Sequence, residues 1–303
     1  MTRAAHYTFI DRFTQGYVAL VGAMIVIWHG DSVPHWGLLA AAHAATMVLV
    51  HLLIRAHAAR PANRFIDLIR HFYPLILYTP LYCETGALNH LFIPGFLDPS
   101  FIRLERRLYG FQPSLAFMEW LPYRAVSETF YAAYFSYYLM IGGVGLALYL
   151  RSREEFFHYV SVVSFVVYTC FLAYVCTPVI GPRIFFRRFT DCVLPADVAP
   201  VPPPGFPAAV QSGPFYHLMA WIYRNLEAPG AAFPSSHVAV ATCTLVFSFL
   251  YLRRIRWIHL AAVVLLCGST VYCRYHYTVD VAGGLLAAAI LIPIGNRLYY
   301  RFR

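Results

Sequence analysis

Long apolar runs, separated by short connections that carry arginine, dominate the chain. A membrane-spanning helix needs about 20 mostly apolar residues, and eight segments approach that length. They are Tyr17 to Trp28 with both ends extended, Trp36 to Ile54, Phe72 to Ile93, Glu128 to Leu150, Phe157 to Ile180, Phe233 to Leu252, Trp257 to Cys273 and Thr278 to Ile294. The pattern therefore predicts an all-α, polytopic membrane helix bundle with about eight transmembrane helices.

The same pattern predicts the domain organisation. Residues 1–68 form a two-helix N-terminal extension, in which the first helix is retained and not cleaved as a signal peptide, and residues 69–303 form a six-helix core. Two connections are longer than plain links. Pro94 to Ser127 has the mixture of apolar and charged residues of an interfacial segment. Loop 181–230 contains the proline-rich stretch Ala199 to Pro204 and a predicted short surface helix, Phe215 to Asn225, and a loop of this length is often a lid.

Composition supports a membrane protein and excludes other classes. The chain is 60% hydrophobic and 12% charged, whereas soluble domains are about 25% charged. The formal net charge is +9, and all 23 basic residues are arginine. These arginines are dispersed between apolar runs and form no basic face, so we expect no nucleic-acid partner. Most of the seven cysteines fall in or at the ends of apolar runs, which predicts neither a disulfide framework nor a zinc site.

The distribution of arginine predicts the orientation in the membrane. The tight turn Arg253-Arg254-Ile255-Arg256 is strongly basic, whereas the first connection on the opposite side, around Asp31, has no arginine. The positive-inside rule therefore places both termini in the cytoplasm. In that orientation the starts of the sixth and eighth segments and loop 181–230 all lie on the non-cytoplasmic face, periplasmic or lumenal.

Two polar residues, His276 and Asp280, stand at the edge of the last apolar run. Four residues apart, they lie on one face of a helix, one turn from each other. A carboxylate bonded to one imidazole nitrogen fixes the tautomer and leaves the other nitrogen as a nucleophile or base. The alternative is a polar pair that satisfies itself at a helix start, where aspartate is favoured.

A second polar element, Pro234-Ser235-Ser236-His237, precedes the apolar run that ends at Leu252. Proline in the first turn and serines with hydroxyl and N–H groups indicate a helix N-terminus, which binds anions. Taken alone, ordinary capping by serine is the simpler explanation. His237 changes this, because a histidine beside an anion site suits a general acid.

Arg183 follows the fifth segment on the same predicted face. Its guanidinium can offer a fork of donors to a phosphate, and the alternative is an arginine that anchors a helix end or binds headgroups. Together, the histidines, the aspartate, the arginine and the serine-lined helix start predict a phosphoryl-transfer site. No metal site and no cofactor are predicted, so hydrogen-bond donors and arginine would stabilise the charge of the transferring group.

These motifs resemble the type 2 phosphatidic acid phosphatase superfamily. The resemblance rests on Gly230 to His237, on the membrane hairpin that follows, and on His276 to Asp280 with Val281-Ala282-Gly283-Gly284, and it covers the chain from about Ser127 onward. The segment Tyr272 to Asp280 is most similar to the branch of inositol phosphorylceramide synthases and sphingomyelin synthases. The resemblance implies that His276 attacks phosphorus to form a phosphohistidine, that Asp280 orients His276, and that His237 protonates the leaving alkoxide and then activates water or an alcohol.

The basic residues depart from the family pattern. The first motif of the family carries a lysine and then an Arg-Pro pair, whereas this chain has no lysine and has Pro182-Arg183. The third motif usually has Ser-Arg six residues before its histidine, where this chain has Ser269-Thr270, and the glycine of the second motif is Ser236. Arg274 is the candidate substitute. The expected phosphate-binding residues are therefore Arg183, Ser235, Ser236 and Arg274.

The expected function is that of a metal-independent lipid phosphatase or phosphotransferase in the membrane, acting on a phospholipid or lipid phosphate. Water or an alcohol of the inositol, ceramide or diacylglycerol type is the acceptor, and one covalent intermediate serves both reactions, so hydrolase and transferase stay open. The alternative is a catalytically silent lipid-binding or scaffold protein with the same fold, which the altered arginines favour and the intact His237, His276 and Asp280 oppose.

Three further polar residues lie in or at the start of apolar runs: Glu84, His90 and Glu128. They could line a headgroup pocket, but interhelical hydrogen bonds are the more common role of such residues. A transporter would use Glu84 and His90 as a proton relay. It also needs ionisable residues on several helices, which this chain mostly lacks.

Overall fold

The computed structural model describes residues 7–188, 205–226 and 228–302. In these ranges, regular structure consists of thirteen helices and one isolated parallel bridge between Val179 and Ala231. The helices are α1 Phe9–Trp28, α2 Trp36–Ala59, α3 Arg64–Leu88, α4 Asp98–Tyr109, α5 Pro113–Trp120, α6 Arg124–Arg151, α7 Arg153–Cys176, α8 Pro182–Arg188, α9 Ala208–Gln211, α10 Pro214–Leu226, α11 Ser236–Tyr251, α12 Arg256–Tyr272 and α13 Thr278–Phe302. The all-α prediction is confirmed. The proline-rich stretch 199–204 lies outside the described residues.

Five of the described helices are long and apolar enough to cross a membrane, namely α1, α2, α6, α7 and α13. The chain is thus consistent with an integral membrane protein. Each of the eight predicted segments contains a helix, but only five of the described helices have both the length and the hydrophobicity to span a membrane. Helices α11 and α12 are apolar but have only 16 and 17 residues. In α3, tyrosines, Pro74, Pro80 and Glu84 interrupt the apolar residues.

Helix α3 begins at Arg64, earlier than the predicted Phe72, because two local features stabilise its first turns. The side chain of Asn63 caps the helix by accepting the N–H groups of the second and third following residues at 3.0 and 3.1 Å. One turn further on, Arg70 forms a buried ion pair with Asp11 of α1, which also accepts the hydroxyl of Tyr73 at 2.7 Å. This buried contact joins the predicted N-terminal extension to the predicted core.

Helix α7 lies at the centre of the bundle. It packs against α1, α3, α6, α11 and α13, and its side chains are buried on nearly every face. A helix that is hydrophobic all round is typical of such a central position. Because α7 ends at Cys176, it fixes the position of the segment that leads to Arg183.

Shorter helices cover one end of the bundle. Helices α4 and α5 occupy the predicted interfacial segment, and α10 occupies the predicted surface helix. Helix α4 packs on α13, α5 on α12, and α10 on α6. Ile102 of α4 is buried whereas Leu108 is exposed, as expected for an amphipathic helix at the edge of a bundle. The ends of α7 and α12 and the starts of α11 and α13 meet beneath these helices.

Candidate active site

His276 and Asp280 are in contact at the start of α13. His276 lies in the turn that precedes the helix, and Asp280 lies in its first turn. Nδ1 of His276 is 3.4 Å from Oδ2 of Asp280, and the same oxygen accepts the backbone N–H of Tyr277 at 2.8 Å. Asp280 thus reaches back to the helix start as a capping carboxylate does, and it holds the imidazole beside it. Both side chains are buried.

A tight turn after α12 presents His276. The N–H groups of Tyr275 and His276 both donate to the carbonyl of Thr270 at 3.0 Å. Arg274 adopts a left-handed backbone conformation with φ of 62°, which is uncommon for a residue other than glycine. The turn reverses the chain and directs His276 back toward the bundle.

His237 lies opposite, in the first turn of α11. Its ring centroid is 5.6 Å from that of His276. The phenol oxygen of Tyr134 lies 3.0 Å from Nε2 of His237, and Tyr137 packs against the ring with a centroid distance of 4.4 Å. The structure therefore brings together the two histidines that the sequence places 39 residues apart.

Two glycines allow α11 and α13 to approach each other this closely. The N–H of Ser235 donates to the backbone carbonyl of Asp280 at 3.0 Å. A Cβ atom on Gly284 would lie 2.5 Å from the carbonyl oxygen of Ser235, and one on Gly283 would lie 2.5 Å from the ring of Phe233. Any side chain at these positions would push the two histidine-bearing elements apart.

Arg183 enters the site from the first turn of α8. Its backbone N–H donates to the carbonyl of Arg274 at 2.6 Å, and its guanidinium donates to the hydroxyl of Tyr275 at 2.6 Å. The guanidinium also lies 5.0 Å from the ring of Tyr223 and 4.9 Å from that of Tyr275. Gly181, with φ of 90°, makes this approach feasible, because a Cβ there would lie 2.4 Å from the carbonyl oxygen of Tyr275.

A buried carboxylate that sequence reasoning missed, Asp98 of α4, ties these segments together. Its two oxygens accept the N–H groups of Ile180 at 2.8 Å and Gly181 at 2.9 Å, and the hydroxyl of Tyr277 at 2.9 Å. Asp98 therefore joins the segment that precedes Arg183 to the residue that follows His276. Burial raises the pKa of Asp98 to about 6, although these three hydrogen bonds act in the opposite direction.

A second carboxylate of α4, Glu105, caps α13. It accepts both the N–H and the hydroxyl of Thr278, and burial raises its pKa while these hydrogen bonds lower it. In the sequence, the one indication of these two buried carboxylates is that Asp98 stands directly before Pro99, at the start of an amphipathic helix.

The other three predicted phosphate-binding residues, Ser235, Ser236 and Arg274, lie in different environments. Ser235 is buried and caps α11 by accepting the N–H of Val238 at 3.4 Å, as the capping alternative expects. The N–H of Ser236 donates to the hydroxyl of Tyr174 at 3.0 Å. The guanidinium of Arg274 lies 3.4 Å from Glu119, outside the pocket described next. Phosphate binding by these three residues stays a prediction.

The polar side chains converge on a small pocket, whose lining includes His276, His237, Arg183, Tyr275 and Tyr223. A larger, mainly apolar cavity of about 310 Å³ adjoins it and shares His237 and Tyr223 with it. The arrangement can hold a compact anion between an arginine and two imidazoles, with an apolar space beside it. Among the described residues, no group of three or more His, Cys, Asp or Glu side chains could hold a metal ion.

The other polar residues of the apolar runs lie away from this pocket. Nε2 of His43 lies 3.3 Å from Glu84, an ion-pair distance between α2 and α3. Nδ1 of His90 accepts the N–H of Gly95 at 3.2 Å. The two oxygens of Glu128 accept the N–H groups of Phe215 and Tyr216 at 2.9 and 3.1 Å and so cap α10. Glu84, His90 and Glu128 therefore each have a polar partner within the protein.

An all-helical, apolar chain in which two histidines, a carboxylate and an arginine converge at one end defines a candidate membrane-embedded phosphoryl-transfer protein. The family model of the PAP2 superfamily matches residues 99–294, and the chain belongs to that superfamily. The match begins at α4 and so extends further than the sequence resemblance, which began at about Ser127. No match is found among the curated proteins or among the solved structures. Membership of the superfamily indicates a membrane lipid phosphatase or phosphotransferase; the narrower similarity to the sphingolipid synthase branch stays a prediction.

Proposed function

We propose that the protein transfers a phosphoryl or substituted phosphoryl group from a membrane lipid to water or to an alcohol, through a covalent intermediate on His276. The observation that carries the proposal is the convergence of His276, His237 and Arg183 on one pocket. The expected acceptors are water or an alcohol of the inositol, ceramide or diacylglycerol type.

In the first half-reaction, His276 is the nucleophile. Its Nδ1 faces Asp280, which favours the tautomer with the proton on Nδ1 and leaves the lone pair of Nε2 for phosphorus. The N–P bond forms as the bond between phosphorus and the lipid oxygen breaks. The imidazolium that results is stabilised by Asp280, which stays ionised.

His237 is the general acid of the first half-reaction and the general base of the second. It donates a proton to the leaving alkoxide, which departs as a neutral alcohol. The neutral His237 then takes a proton from water or an acceptor alcohol as that oxygen attacks phosphorus and the N–P bond breaks. The two imidazoles lie edge to face with their centroids 5.6 Å apart, and both line the same pocket, so one phosphoryl group in that pocket is within reach of both rings.

Arg183 and the N-terminus of α11 bind the phosphate oxygens. A guanidinium already held by Tyr275 loses little entropy on binding an anion, and the start of α11 at Ser235 and Ser236 adds a favourable dipole. Arg274 contributes through its backbone carbonyl, which accepts the N–H of Arg183, and its guanidinium is the second candidate ligand.

We infer from the arginine bias that this site lies on the non-cytoplasmic face. A C-terminal reporter that is active only in the cytoplasm tests this orientation; activity of a reporter that works only outside the cytoplasm would reverse it.

The function is tested with the purified full-length chain and a panel of lipid phosphates and phospholipids, with and without a metal chelator. We expect release of phosphate or headgroup that survives chelation and is abolished in His276→Ala. A radiolabelled substrate with a good leaving group should leave an acid-labile label on His237→Ala. Such a group departs without a general acid, whereas release of the phosphoryl group from His276 still needs the general base. His217→Ala, which removes an exposed histidine of α10, is the matched control and should retain full activity. Equal activity of wild type and His276→Ala, or inertness of both across the panel, contradicts the proposal and favours the silent lipid-binding alternative.

Acceptor identity is tested in the same preparation. Addition of inositol, ceramide or diacylglycerol diverts the product from free phosphate to a new phospholipid in a transferase and leaves phosphate release unchanged in a hydrolase.

A further inference from the structure

The apolar cavity beside His237 lies between α3 and α6. Both helices pack on α7, which provides the floor with Val167 and Phe171. Helix α10 contributes Ile222, Tyr223 and Leu226 to the lining. The cavity of about 310 Å³ therefore has three walls from long bundle helices and a cover from an amphipathic surface helix.

The lining changes in character along the cavity. Tyr82 of α3 and Tyr137 of α6 lie at the level of His237, and the tyrosine rings carry hydroxyl groups. Leu75 lies seven residues before Tyr82, about 10 Å away along α3, and Gly142 lies five residues beyond Tyr137, about 7.5 Å away along α6. The end distant from His237 is aliphatic and includes Ile141.

The cavity borders the anion pocket. His237, Tyr82 and Tyr223 line both of them. A molecule that places an anionic group between Arg183 and His276 would therefore have its apolar part directed into the cavity. A mainly apolar space of this kind accepts hydrocarbon.

We propose that this cavity binds one hydrocarbon chain of the lipid phosphoester that reacts at His276, and that Gly142 sets the length of chain it accepts. This inference rests on the proposed function. The occupant is a chain of the substrate itself, because the cavity adjoins the acid that must reach the ester oxygen of the same molecule.

Gly142 is the residue at which chain length can be tested with least disturbance. It lines the cavity, and a Cβ added there would meet no atom within 4 Å. Because Gly142 borders the cavity, a larger side chain at this position can occupy part of it without a clash at Cβ. The neighbouring Gly143 is the matched control: a Cβ there also meets nothing within 4 Å, but Gly143 is not among the cavity lining.

The first experiment compares Gly142→Leu with Gly143→Leu on phosphatidic acids from dibutyryl to dipalmitoyl. We expect Gly142→Leu to lower kcat/KM for the long chains about ten-fold, the cost of displacing about two buried methylenes, and to leave the dibutyryl lipid within about two-fold of wild type. Gly143→Leu should keep the wild-type profile. Thermal denaturation and size-exclusion elution check that both variants fold. An unchanged chain-length profile in a folded Gly142→Leu protein overturns the inference.

The second experiment does not depend on turnover. A non-cleavable phosphonate analogue of phosphatidic acid with a photoreactive group near the chain end is crosslinked to the full-length protein, and the labelled peptides are mapped. We expect label on the peptides of α3 and α6 that contain Leu75 and Gly142, and loss of this label in Gly142→Leu. Label confined to other helices overturns the inference. A galactosyl diacylglycerol with the same photoreactive chain tests ordinary bilayer lipid as the occupant, and equal labelling by it also overturns the inference.

The two experiments separate this inference from the proposed function. If no lipid is turned over but the phosphonate labels the cavity and Gly142→Leu blocks that label, the chain site stands and the catalytic proposal fails. If lipid phosphate is turned over through His276, but Gly142→Leu changes neither the chain-length profile nor the labelling, the catalytic proposal stands and the chain site fails.

Discussion

The phenol oxygen of Tyr134 lies 3.0 Å from Nε2 and 3.4 Å from Nδ1 of His237. Tyr134 is fully buried on α6, and its hydroxyl also forms a short hydrogen bond with that of Tyr223 on α10. The linked hydroxyls of Tyr134 on α6 and Tyr223 on α10 therefore restrain His237, the proposed general acid. Because one of them belongs to the amphipathic surface helix α10, the position of that helix and the orientation of His237 are coupled.

Tyr134→Phe removes the hydroxyl that contacts His237 and keeps the ring. We expect kcat to fall by about ten-fold to a hundred-fold, since a hydrogen bond to a group that becomes charged contributes about 1.5 to 3 kcal/mol. KM should change little, because the hydroxyl of Tyr134 lies beside His237, the proposed general acid. The measurement is steady-state kinetics on the best lipid of the panel.

Tyr138→Phe is the matched control for this substitution. Tyr138 lies on the same helix and lines the apolar cavity, and its ring packs against Phe135 and Tyr137. It should retain wild-type kcat. Equal effects of the two substitutions would assign the change at Tyr134 to packing and not to the orientation of His237.

Asp98 should make the stability of the fold depend on pH in an unusual direction. Its pKa in the folded protein is about 6, against an ordinary value of 3.8. Because the folded state holds this proton more tightly than the unfolded state, the contribution of Asp98 to stability is most favourable at low pH and is lost as the pH rises through 6. Between about pH 5 and pH 8 the change amounts to about 1.4 kcal/mol.

Asp98→Asn tests this contribution. The difference in thermal stability between wild type and Asp98→Asn, measured in detergent, should move in favour of wild type by about that amount as the pH falls from 8 to 5. The carboxylates of Asp280 and Glu105 and the hydroxyl of Tyr277 lie around the same site, but they are present in both proteins, so their own titration largely cancels in the difference. A difference that stays constant with pH would show that Asp98 keeps an ordinary pKa.

Gly284→Ala should push α11 and α13 apart. Its Cβ would lie 2.5 Å from the carbonyl oxygen of Ser235 and 3.0 Å from the side chain of Val238. Overpacking of this kind costs about 1 to 3 kcal/mol, and it displaces His237 from His276. We expect a lower melting temperature together with a loss of activity greater than the loss of folded protein.

Gly16→Ala provides the comparison for this glycine. A Cβ on Gly16 of α1 meets nothing within 4 Å, so the substitution should leave stability unchanged or raise it by about 0.5 to 1 kcal/mol. Activity should be unaffected. If Gly284→Ala retained the wild-type melting temperature and activity, α11 and α13 would have room to separate without disturbing the site.

Much of the fold follows from the sequence, because apolar runs of membrane length determine helices locally. The convergence of His237 and His276 also follows, since the arginine distribution places both helix starts on one face. Their ring separation of 5.6 Å agrees with that prediction. The spacing of His276 and Asp280 predicts their contact, although the histidine precedes the helix instead of lying within it.

Other parts of the site depend on contacts that no local pattern contains. Asp98 bonds to groups 82, 83 and 179 residues away, and its sequence neighbourhood is that of any helix start. Glu128 caps a helix that begins 86 residues later, at Pro214. The prediction that Arg274 substitutes for a missing arginine rests on its position along the chain and stays a prediction. In the structure the backbone of Arg274 is left-handed and its guanidinium lies 3.4 Å from Glu119.

Arg183 and Arg274 should therefore differ in their effect on substrate binding. Arg183 lines the pocket of the two histidines, and its guanidinium is held by Tyr275. Arg183→Lys keeps the charge but removes the planar fork, so we expect kcat/KM to fall at least about ten-fold. Arg274→Lys keeps the charge that faces Glu119 and should change kcat/KM by less than about three-fold. Inhibition by inorganic phosphate, measured on both variants, distinguishes ground-state binding from catalysis. A larger effect on phosphate inhibition at Arg274 than at Arg183 would reverse the assignment and make Arg274 the principal phosphate ligand.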